Sequence, residues 1–234
     1  MEGEIYQKVM DYLNGYEVDT IGVLSAEDMA AAPEGYRPTD YLPEAKSVLI
    51  WALRLIDAVV DRMPESRKEF TANNYEAEAL NQEITFRTAR LLQKAGYATY
   101  PMSYFRREFT GLALKDPVKL FGPISMKHAG EFAGLGQIGL HSLLMTPEFG
   151  PRHRLGALIT EAPLGGGRPL DRELCNPEKC GYRCVEACPA DAVSPDGYDK
   201  FEKQKCSDYQ IRALASVRCS MCMAVCPREI WGKV

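Results

Sequence analysis

The chain has 234 residues, of which 46% are hydrophobic and 26% charged, and its formal net charge is -4. This composition is ordinary for a globular protein, and the length allows one large domain or a medium domain with a small appendage. No basic block is present, so we expect no nucleic-acid partner. The longest apolar run, Val48 to Leu53, is too short to span a bilayer, and residues 1–8 lack a secretion-signal pattern. We therefore expect no membrane partner and a cytoplasmic location.

Hydrophobic periodicity predicts the first elements of the chain. Residues 4–14 place apolar side chains on one helical face, and residues 20–24 are predicted to form a short strand. Residues 30–43 are rich in proline and small residues, which is typical of an extended loop. Residues 47–55 are apolar and β-branched without alternation, so we predict a strand buried on both faces. Trp51, within that strand, is expected to pack in the core.

Helices and strands continue to alternate through the middle of the chain. The longest helical pattern covers residues 75–95, and residues 97–102 are predicted to return as a strand. Residues 125–134 are predicted to form a short helix that a serine caps and a glycine ends. Residues 155–160 are predicted to be another buried strand.

Three glycines, Gly134, Gly136 and Gly139, match a dinucleotide-binding fingerprint in letters only. The segment before them is predicted to be helix rather than strand, and no acidic residue is placed to read a ribose. Glycines at this density are expected instead to let the backbone approach a large planar ligand.

All 8 cysteines lie between residues 175 and 226, after a glycine-rich hinge at residues 165–169. We therefore predict two domains, residues 1–168 and residues 169–234. Two runs of closely spaced cysteines each end in Cys-Pro, which is how bacterial-type ferredoxins present thiolates to [4Fe-4S] clusters. Eight thiolates supply two clusters of four ligands each, with none left over.

Other uses of the cysteines fit the sequence less well. Four disulfides would suit a small secreted domain, but the cysteine-free front part and the missing secretion signal argue against an oxidising environment. Two zinc sites are the remaining alternative, since zinc also takes four thiolates. Zinc sites seldom combine three or four cysteines at such short steps with a following proline, so we favour iron–sulfur clusters.

The two cysteine runs are expected to share their ligands. In two-cluster ferredoxins the cysteine before proline ligates the other cluster, because the chain turns away there. The first run departs from the usual spacing, with gaps of four and three residues in place of two and two. The rule assigns Cys175, Cys180, Cys184 and Cys226 to cluster I, and Cys188, Cys206, Cys219 and Cys222 to cluster II.

Residues 128–164 and the two cysteine runs resemble the family of epoxyqueuosine reductases and corrinoid-dependent reductive dehalogenases. Members carry an A-G-L-G-x-x-G segment, then L-I-T-P-E-x-G-x-R-x-R-L-G-A-x-x-T-x-x-P-L, then two ferredoxin-type runs. Cys206 also sits where epoxyqueuosine reductases have a single cysteine between the runs. The other matching residues are Ala133 to Gly136, Gly139, Thr146 to Glu148, Gly150, Arg152, Arg154 to Ala157, Thr160, Pro163 and Leu164.

The resemblance implies an α+β protein, with a nitroreductase-like α/β sandwich domain followed by a small bacterial-type ferredoxin domain that holds two [4Fe-4S] clusters. It also implies a cobalamin bound base-off, which an external low-potential electron donor would reduce through the clusters. Two of the matching arginines could meet polar groups of this cofactor, and a structural salt bridge is an equal alternative for them. The residues expected at the cofactor are Gly134, Leu135, Gly136, Gly139, His141, Arg152 and Arg154.

Three departures from the family pattern argue against epoxyqueuosine reduction and against membrane-linked dehalogenation. Epoxyqueuosine reductases carry an Asp-x-x-Pro whose Asp donates a proton, and with Pro123 aligned that position here is Leu120. The chain ends eight residues after Cys226, without the tRNA-binding repeats of long members, and it has no twin-arginine signal. We therefore expect a compact relative that acts on an unassigned small molecule or on a partner corrinoid protein.

A reductase also needs a proton donor near the substrate, for which Tyr104, Lys127 and His128 are the candidates of suitable type. Three functions stay open. The first, which we favour, is a cobalamin- and iron–sulfur-dependent reductase. The second is an electron-transfer or reductive-activator protein for another corrinoid protein, with no small substrate. The third is a flavin-dependent reductase, because nitroreductase-like scaffolds bind flavin in other families.

Overall fold

The computed structural model describes residues 2–102 and 115–231 and has a mixed α/β architecture. One sheet has four strands in the order β1-β2-β6-β3, and β4 and β5 form a separate pair. The strands are β1 Thr20–Ser25, β2 Ser47–Arg54, β3 Thr99–Met102, β4 Gln137–Ile138, β5 Leu144–Met145 and β6 His153–Thr160. The α-helices are α1 Glu2–Asn14, α2 Asp57–Val60, α3 Arg67–Lys94, α4 Met126–Phe132, α5 Pro177–Cys180, α6 Arg183–Glu186, α7 Lys203–Asp208 and α8 Met221–Ala224. Shorter turns are 3-10 helices at Ala26–Met29, Pro38–Asp40, Tyr198–Lys200 and Arg228–Ile230, and a π-helix at Tyr209–Ala213.

The chain divides into two compact units. The second unit contains all eight cysteines. The predicted domain boundary between residues 168 and 169 stays a prediction. The first unit is Met1–Leu53, Glu78–Leu135 and Arg154–Pro169, and the second is Arg54–Ala77, Gly136–His153 and Leu170–Val234.

The core of the first unit forms around β2, as the apolar run predicts. Strand β1 pairs antiparallel with β2, which places Ile21 opposite Trp51. Trp51 is fully buried, and its indole Nε1 donates a hydrogen bond to Oδ1 of Asn81 on α3 at 2.8 Å. A Cβ on Gly156 of β6 would lie 2.5 Å from this indole, so the glycine makes room for the ring. The prediction that Trp51 packs in the core is confirmed.

Helix α3 begins at Arg67 rather than at residue 75, and this early start is the largest difference from the predicted elements. Phe70, in the added part, is fully buried with Leu55 and Val60. This one anchor in the second unit stabilises a helical stretch whose sequence has no apolar periodicity. The other end follows the prediction, since Gly96 has a φ of 90°.

Within residues 2–102 and 115–231, no helix is both long and apolar enough to cross a membrane.

Candidate functional site

The eight cysteines of the second unit all carry free thiols. Cys184, Cys219 and Cys226 are buried, and the other five are half-buried. Because none of the eight is in a disulfide, all of them are available as metal ligands. The disulfide alternative therefore does not describe this structure.

The two Cys-Pro runs fold into the same local structure. In each run a residue with positive φ precedes a single helical turn, α6 or α8. The turn carries one cysteine, and the cysteine before proline follows it and donates its backbone N–H to the turn. Because three residues separate the two cysteines, one lies within the helical turn and the other lies just after it. The equivalent positions are Tyr182 and Ser220, with φ of 52° and 45°, then Cys184 and Cys222, then Cys188 and Cys226.

The unusual spacing of the first run has a structural counterpart. The position of Cys219 in the second run is matched in the first by Gly181, which has a φ of 66°. Cys180 lies one residue earlier, at the end of α5. The side chain of Asn176 caps this helix by accepting a hydrogen bond from the backbone N–H of Lys179 at 2.8 Å. The extra residues of the first run therefore form one added helical turn.

The thiols divide into two groups according to which of them interact electrostatically. The group around Cys226 also contains Cys175, Cys180 and Cys184. The group around Cys222 also contains Cys188, Cys206 and Cys219, and Cys184 of the other group lies near enough to interact with it. These groups have the membership that the ligand-sharing rule assigns to clusters I and II, although their role as ligands stays a prediction. Among the described residues, no group of three or more His, Cys, Asp and Glu side chains is arranged to hold a metal ion.

Burial disfavours the thiolate form of Cys184, Cys222 and Cys226. Desolvation raises the pKa of Cys226 to about 12 and that of Cys184 to about 11. Burial also raises the pKa of Cys222. The thiolate is the form that binds metal, so binding must release protons, and the positive charge of the metal must compensate for the lost hydration.

Within residues 2–102 and 115–231, N–H groups donate hydrogen bonds to four of the cysteine sulfurs, two in each group. Such N–H donors stabilise a thiolate and, in iron–sulfur proteins, contribute to the reduction potential of the cluster. The bonds run from Leu140 N to Cys175 Sγ at 3.4 Å, from Trp231 Nε1 to Cys226 Sγ at 3.2 Å, from Ala192 N to Cys188 Sγ at 3.3 Å and from Gln210 Nε2 to Cys206 Sγ at 3.5 Å.

The glycine-rich segment packs closely against the chain itself. A Cβ on Gly134 would lie 2.4 Å from the carbonyl oxygen of Arg168, within the first unit. Within the second unit, a Cβ on Gly136 would lie 1.9 Å from the carbonyl oxygen of Met145, and one on Gly139 would lie 2.6 Å from Sδ of Met145. The backbone oxygens beside Gly134 and Gly136 leave no room for a side chain, whereas a side chain at position 139 would require Met145 to move. Packing therefore requires Gly134 and Gly136, and the predicted contact of all three glycines with a cofactor stays a prediction.

His141 is buried with one ring nitrogen lacking a partner. Its Nδ1 accepts a hydrogen bond from the backbone N–H of Leu143 at 3.2 Å, so the proton of the neutral ring is on Nε2. Among the described residues Nε2 has no hydrogen-bond partner. Burial, and to a smaller extent the neighbouring His153, lowers the pKa of His141 to about 4. The ring is therefore neutral at physiological pH.

The low pKa of His141 predicts a loss of stability in mild acid. A buried histidine whose pKa falls from 6.5 to about 4 on folding stabilises the fold fully above pH 6.5, and this contribution is lost as the pH falls toward 4. Between pH 7 and pH 5 we expect the free energy of unfolding to fall by about 2 kcal/mol from this residue. Anaerobic urea denaturation at the two pH values measures it. The His141→Asn variant is the control, and an equal pH dependence in both proteins would contradict the assignment.

Arg152 and Arg154, the two arginines that match the family segment, form ion pairs with carboxylates. A structural salt bridge was the alternative to cofactor contact that the sequence left open. Nη1 of Arg152 lies 3.0 Å from Oδ1 of Asp57 and 2.6 Å from Oδ1 of Asp61, all in the second unit. In the first unit, Arg154 forms an ion pair with Glu78 of α3. The predicted contacts of both arginines with a cofactor stay predictions.

Leu135 is also occupied by packing. It is 4% exposed, and a Cβ added to Gly22 of β1 would lie 2.1 Å from its Cδ1, which shows how closely the two residues approach. Leu135 therefore contributes to the first unit, and its predicted contact with a cofactor stays a prediction.

Two of the candidate proton donors, Lys127 and His128, lie on α4. His128 and Lys127 are both half-buried, and 2.6 Å separates His128 Nδ1 from Oγ of Ser125 at the start of the helix. The Ser125 side chain therefore contacts the imidazole instead of capping the helix. Tyr104 lies outside the described residues. Which of the three serves as a proton donor stays a prediction.

The acidic residue nearest to the missing Asp position has a structural role. Oδ1 of Asp116 accepts hydrogen bonds from the backbone N–H groups of Val118 and Lys119, both at 3.0 Å. The Lys119 contacts lower the pKa of Asp116. Leu120, at the aligned position, has a φ of 54° within the same turn. An ionised, turn-capping Asp116 is poorly suited to replace the missing acid.

Sequence reasoning did not identify Trp231, Asp57 or Asp61. Trp231 follows Cys226 by five residues, and this short spacing after a Cys-Pro pair was the only available signal. The two aspartates are the first residue and the C-cap of α2, but their partner Arg152 is about 90 residues further along the chain. Nothing in the local sequence indicates that pairing.

Comparisons with known proteins found no matching family model. A tetrachloroethene reductive dehalogenase of Desulfitobacterium hafniense is 26% identical over 244 residues, which cover 95% of this chain and 38% of that protein. An epoxyqueuosine reductase of Bacillus cereus is 24% identical over 244 residues, which cover 96% of this chain and 56% of that protein. The chain thus spans less than two thirds of either relative.

Solved structures from the same two groups share the fold. An epoxyqueuosine reductase bound to an epoxyqueuosine-modified tRNA-Tyr stem loop superimposes with a TM-score of 0.67 at 19% identity, covering 97% of this chain and 66% of that one. A reductive dehalogenase whose structure suggests a mechanism for B12-dependent dehalogenation gives a TM-score of 0.66 at 19% identity, covering 90% of this chain and 29% of that one. Both the sequence and the fold comparisons therefore agree with the resemblance found in the sequence motifs.

Proposed function

Since the chain is related to epoxyqueuosine reductases and reductive dehalogenases, which are redox enzymes, we propose that it is an iron–sulfur and corrinoid-dependent reductase. Two [4Fe-4S] clusters in a ferredoxin-like domain would pass electrons from an external low-potential donor to a base-off cobalamin, which would supply a strongly reducing cobalt centre for an unassigned substrate. The protein itself would hold these groups, exclude water and deliver a proton.

The grouping of the eight thiols carries the proposal. Electrostatic interactions link Cys226 with Cys175, Cys180 and Cys184, and Cys222 with Cys188, Cys206 and Cys219, and each set of four includes the cysteine before proline from the other run. Each group also has two N–H donors directed at its sulfurs. Two cubane clusters require two sets of four thiols each, and N–H donors to the sulfurs suit such clusters.

The corrinoid part of the proposal rests on the relatives. The B12-dependent reductive dehalogenase shares the fold over most of this chain. The residues that would hold the corrinoid are those of the matching segments, in particular the backbone around Gly136 and Gly139. Arg152 and Arg154 could contact it only if they exchange or share their present carboxylate partners.

A second candidate function is electron transfer or reductive activation of a partner corrinoid protein. The specific observation that favours it is the missing acid, because Leu120 occupies the aligned position and Asp116 is held in a turn. Without another donor the chain could pass electrons but could not protonate a substrate. His128, supported by Ser125, is the donor we propose for the first function.

Anaerobic purification in the presence of corrinoid, followed by quantitation of iron, cobalt, zinc and flavin, tests the proposal. We expect about 8 Fe and about 1 Co per chain, with no flavin. Zinc in place of iron would contradict the whole proposal. Iron without cobalt would support the cluster part of the proposal and contradict the corrinoid part. Flavin without cobalt would favour the flavin-dependent alternative.

Turnover of the loaded protein separates the two functions. Tetrachloroethene and an epoxyqueuosine-modified stem loop, the molecules named for its relatives, are the first probes, and we expect neither to be consumed. Consumption of the stem loop would also contradict the sequence prediction of no nucleic-acid partner, which stays a prediction. Reduction of a separate corrinoid protein, without turnover of small molecules, would support the activator function.

A further inference from the structure

Trp231 lies between a cysteine sulfur and a buried guanidinium group in the second unit. Its indole Nε1 donates a hydrogen bond to Sγ of Cys226 at 3.2 Å. Cζ of Arg152 lies 5.3 Å from the centroid of the indole, within cation–π range. Trp231 and Arg152 are only 4% and 3% exposed, so water does not screen either contact.

The surrounding residues pack closely against the indole. Gly150 has a φ of 55°, and a Cβ there would lie 2.3 Å from Cε2 of Trp231, so the ring packs directly on the backbone. Leu174 and Ile230 pack in the same buried cluster as Trp231 and Cys226. The N–H group is therefore held toward the sulfur by packing as well as by the hydrogen bond.

A set of charges is linked to the indole through Arg152. The guanidinium contacts Asp57 at 3.0 Å and Asp61 at 2.6 Å, and Arg228 contacts the other oxygen of Asp61 at 2.6 Å. Among the described residues, Nε of Arg152 has no hydrogen-bond partner although it is buried. A polar atom left without a partner has a free-energy cost, which indicates that the position of this guanidinium is set by more than its own hydrogen bonds.

We propose that Trp231 and Arg152 are positioning residues that set the reduction potential of the cluster bound through Cys226, an inference that rests on the proposed function. An N–H donor to a ligand sulfur, and a positive charge nearby, both stabilise the more negative, reduced state of a cluster. Trp231 supplies the first effect directly. Arg152 supplies the second and orients the ring. Both raise the potential of cluster I relative to the same cluster without them.

The test is an anaerobic redox titration followed by electron paramagnetic resonance. In Trp231→Phe, which keeps an aromatic ring and removes the N–H group, we expect a fall of about tenfold in the equilibrium constant for one-electron reduction of one cluster, which is about 59 mV. Arg152→Gln should shift the same cluster in the same direction. Asp61→Asn removes a negative charge and should shift it in the opposite direction, which general damage to the fold would not do.

Matched controls change the same residue types elsewhere. Trp51→Phe removes an indole in the first unit, and Arg87→Gln removes an exposed cation on α3 that pairs with Glu83. Neither should shift a cluster potential. Full iron with unchanged potentials in Trp231→Phe would overturn the inference and leave the proposed function standing. Natural protein without any iron–sulfur cluster would overturn both.

A measurement on the natural protein covers the case in which Trp231→Phe loses iron. Protein grown with ¹⁵N-labelled tryptophan should show a hyperfine coupling between the indole nitrogen and the reduced cluster. The Trp51→Phe variant should keep this coupling, since Trp231 is then the only labelled tryptophan. Absence of the coupling in the reduced, iron-replete natural protein would overturn the inference.

Discussion

Replacing Cys219 with Ala is expected to lower the iron content from about 8 to about 4 atoms per chain and to abolish electron delivery to cobalt. Cys219 is buried and interacts with Cys188 in the group assigned to cluster II. Burial raises the pKa of Cys219 and of its neighbour in the group, Cys222. Such thiols become thiolates only when a metal compensates for the lost hydration, so three of them cannot retain a cluster that requires four.

Iron and acid-labile sulfide analysis of anaerobically purified protein measures the loss. Optical spectroscopy of added corrinoid, with a low-potential chemical donor, measures electron delivery. Met223→Leu is the matched control, because Met223 is a buried residue of α8, the helical turn that follows Cys219, and the substitution keeps its volume. Cys184→Ala should lose a similar amount of iron, from cluster I. The electron paramagnetic resonance spectrum of its remaining cluster should differ from that of Cys219→Ala. A Cys219→Ala protein with about 8 Fe that reduces cobalt at the natural rate would show that the ligand assignment is wrong.

The cysteine-bearing turns depend on contacts that are local in the sequence. A step of four between Cys184 and Cys188 spans one helical turn, and the following proline ends it. The added turn of α5 could be inferred only as a departure from the usual spacing. Its form depends on two consecutive residues with positive φ, Gly181 and Tyr182, and a tyrosine gives no signal for that conformation.

Contacts between distant residues explain what the sequence could not predict. The early start of α3 depends on the burial of Phe70, and the role of Arg152 depends on Asp57 and Asp61. A lone arginine in a family-like segment fits a cofactor phosphate and a carboxylate equally well, because the guanidinium binds both in the same way. Only the position of the aspartates distinguishes the two, and that position is a property of the fold.

The glycines show the same ambiguity in a different form. A glycine is required wherever any backbone or ligand comes too close for a Cβ, and the sequence does not say which of the two is close. The structure supplies a partner within the chain for Gly134, Gly136 and Gly139. Backbone packing is thus sufficient to explain the segment, and ligand approach is an additional hypothesis that a substitution can test.

Replacing Gly136 with Ala is expected to lower the free energy of unfolding by about 3 kcal/mol. The added Cβ would lie 1.9 Å from the carbonyl oxygen of Met145, and a backbone atom cannot turn aside as a flexible side chain can. The clash falls at the start of β4, where Gln137 pairs with Met145 across the β4–β5 sheet. Gln137 also accepts hydrogen bonds from the backbone N–H groups of Leu174 and Cys175, so the disturbance should reach a cluster I ligand.

Anaerobic urea denaturation, followed by circular dichroism, measures this effect, and iron analysis measures its consequence for cluster I. Gly3→Ala on α1 is the matched control, because nothing lies within 4 Å of the added Cβ. Its stability should change by less than about 1 kcal/mol, in the stabilising direction, since alanine favours a helix over glycine. A Gly136→Ala protein of natural stability that fails to bind corrinoid would show that the glycine serves the ligand rather than the packing of β4 and β5.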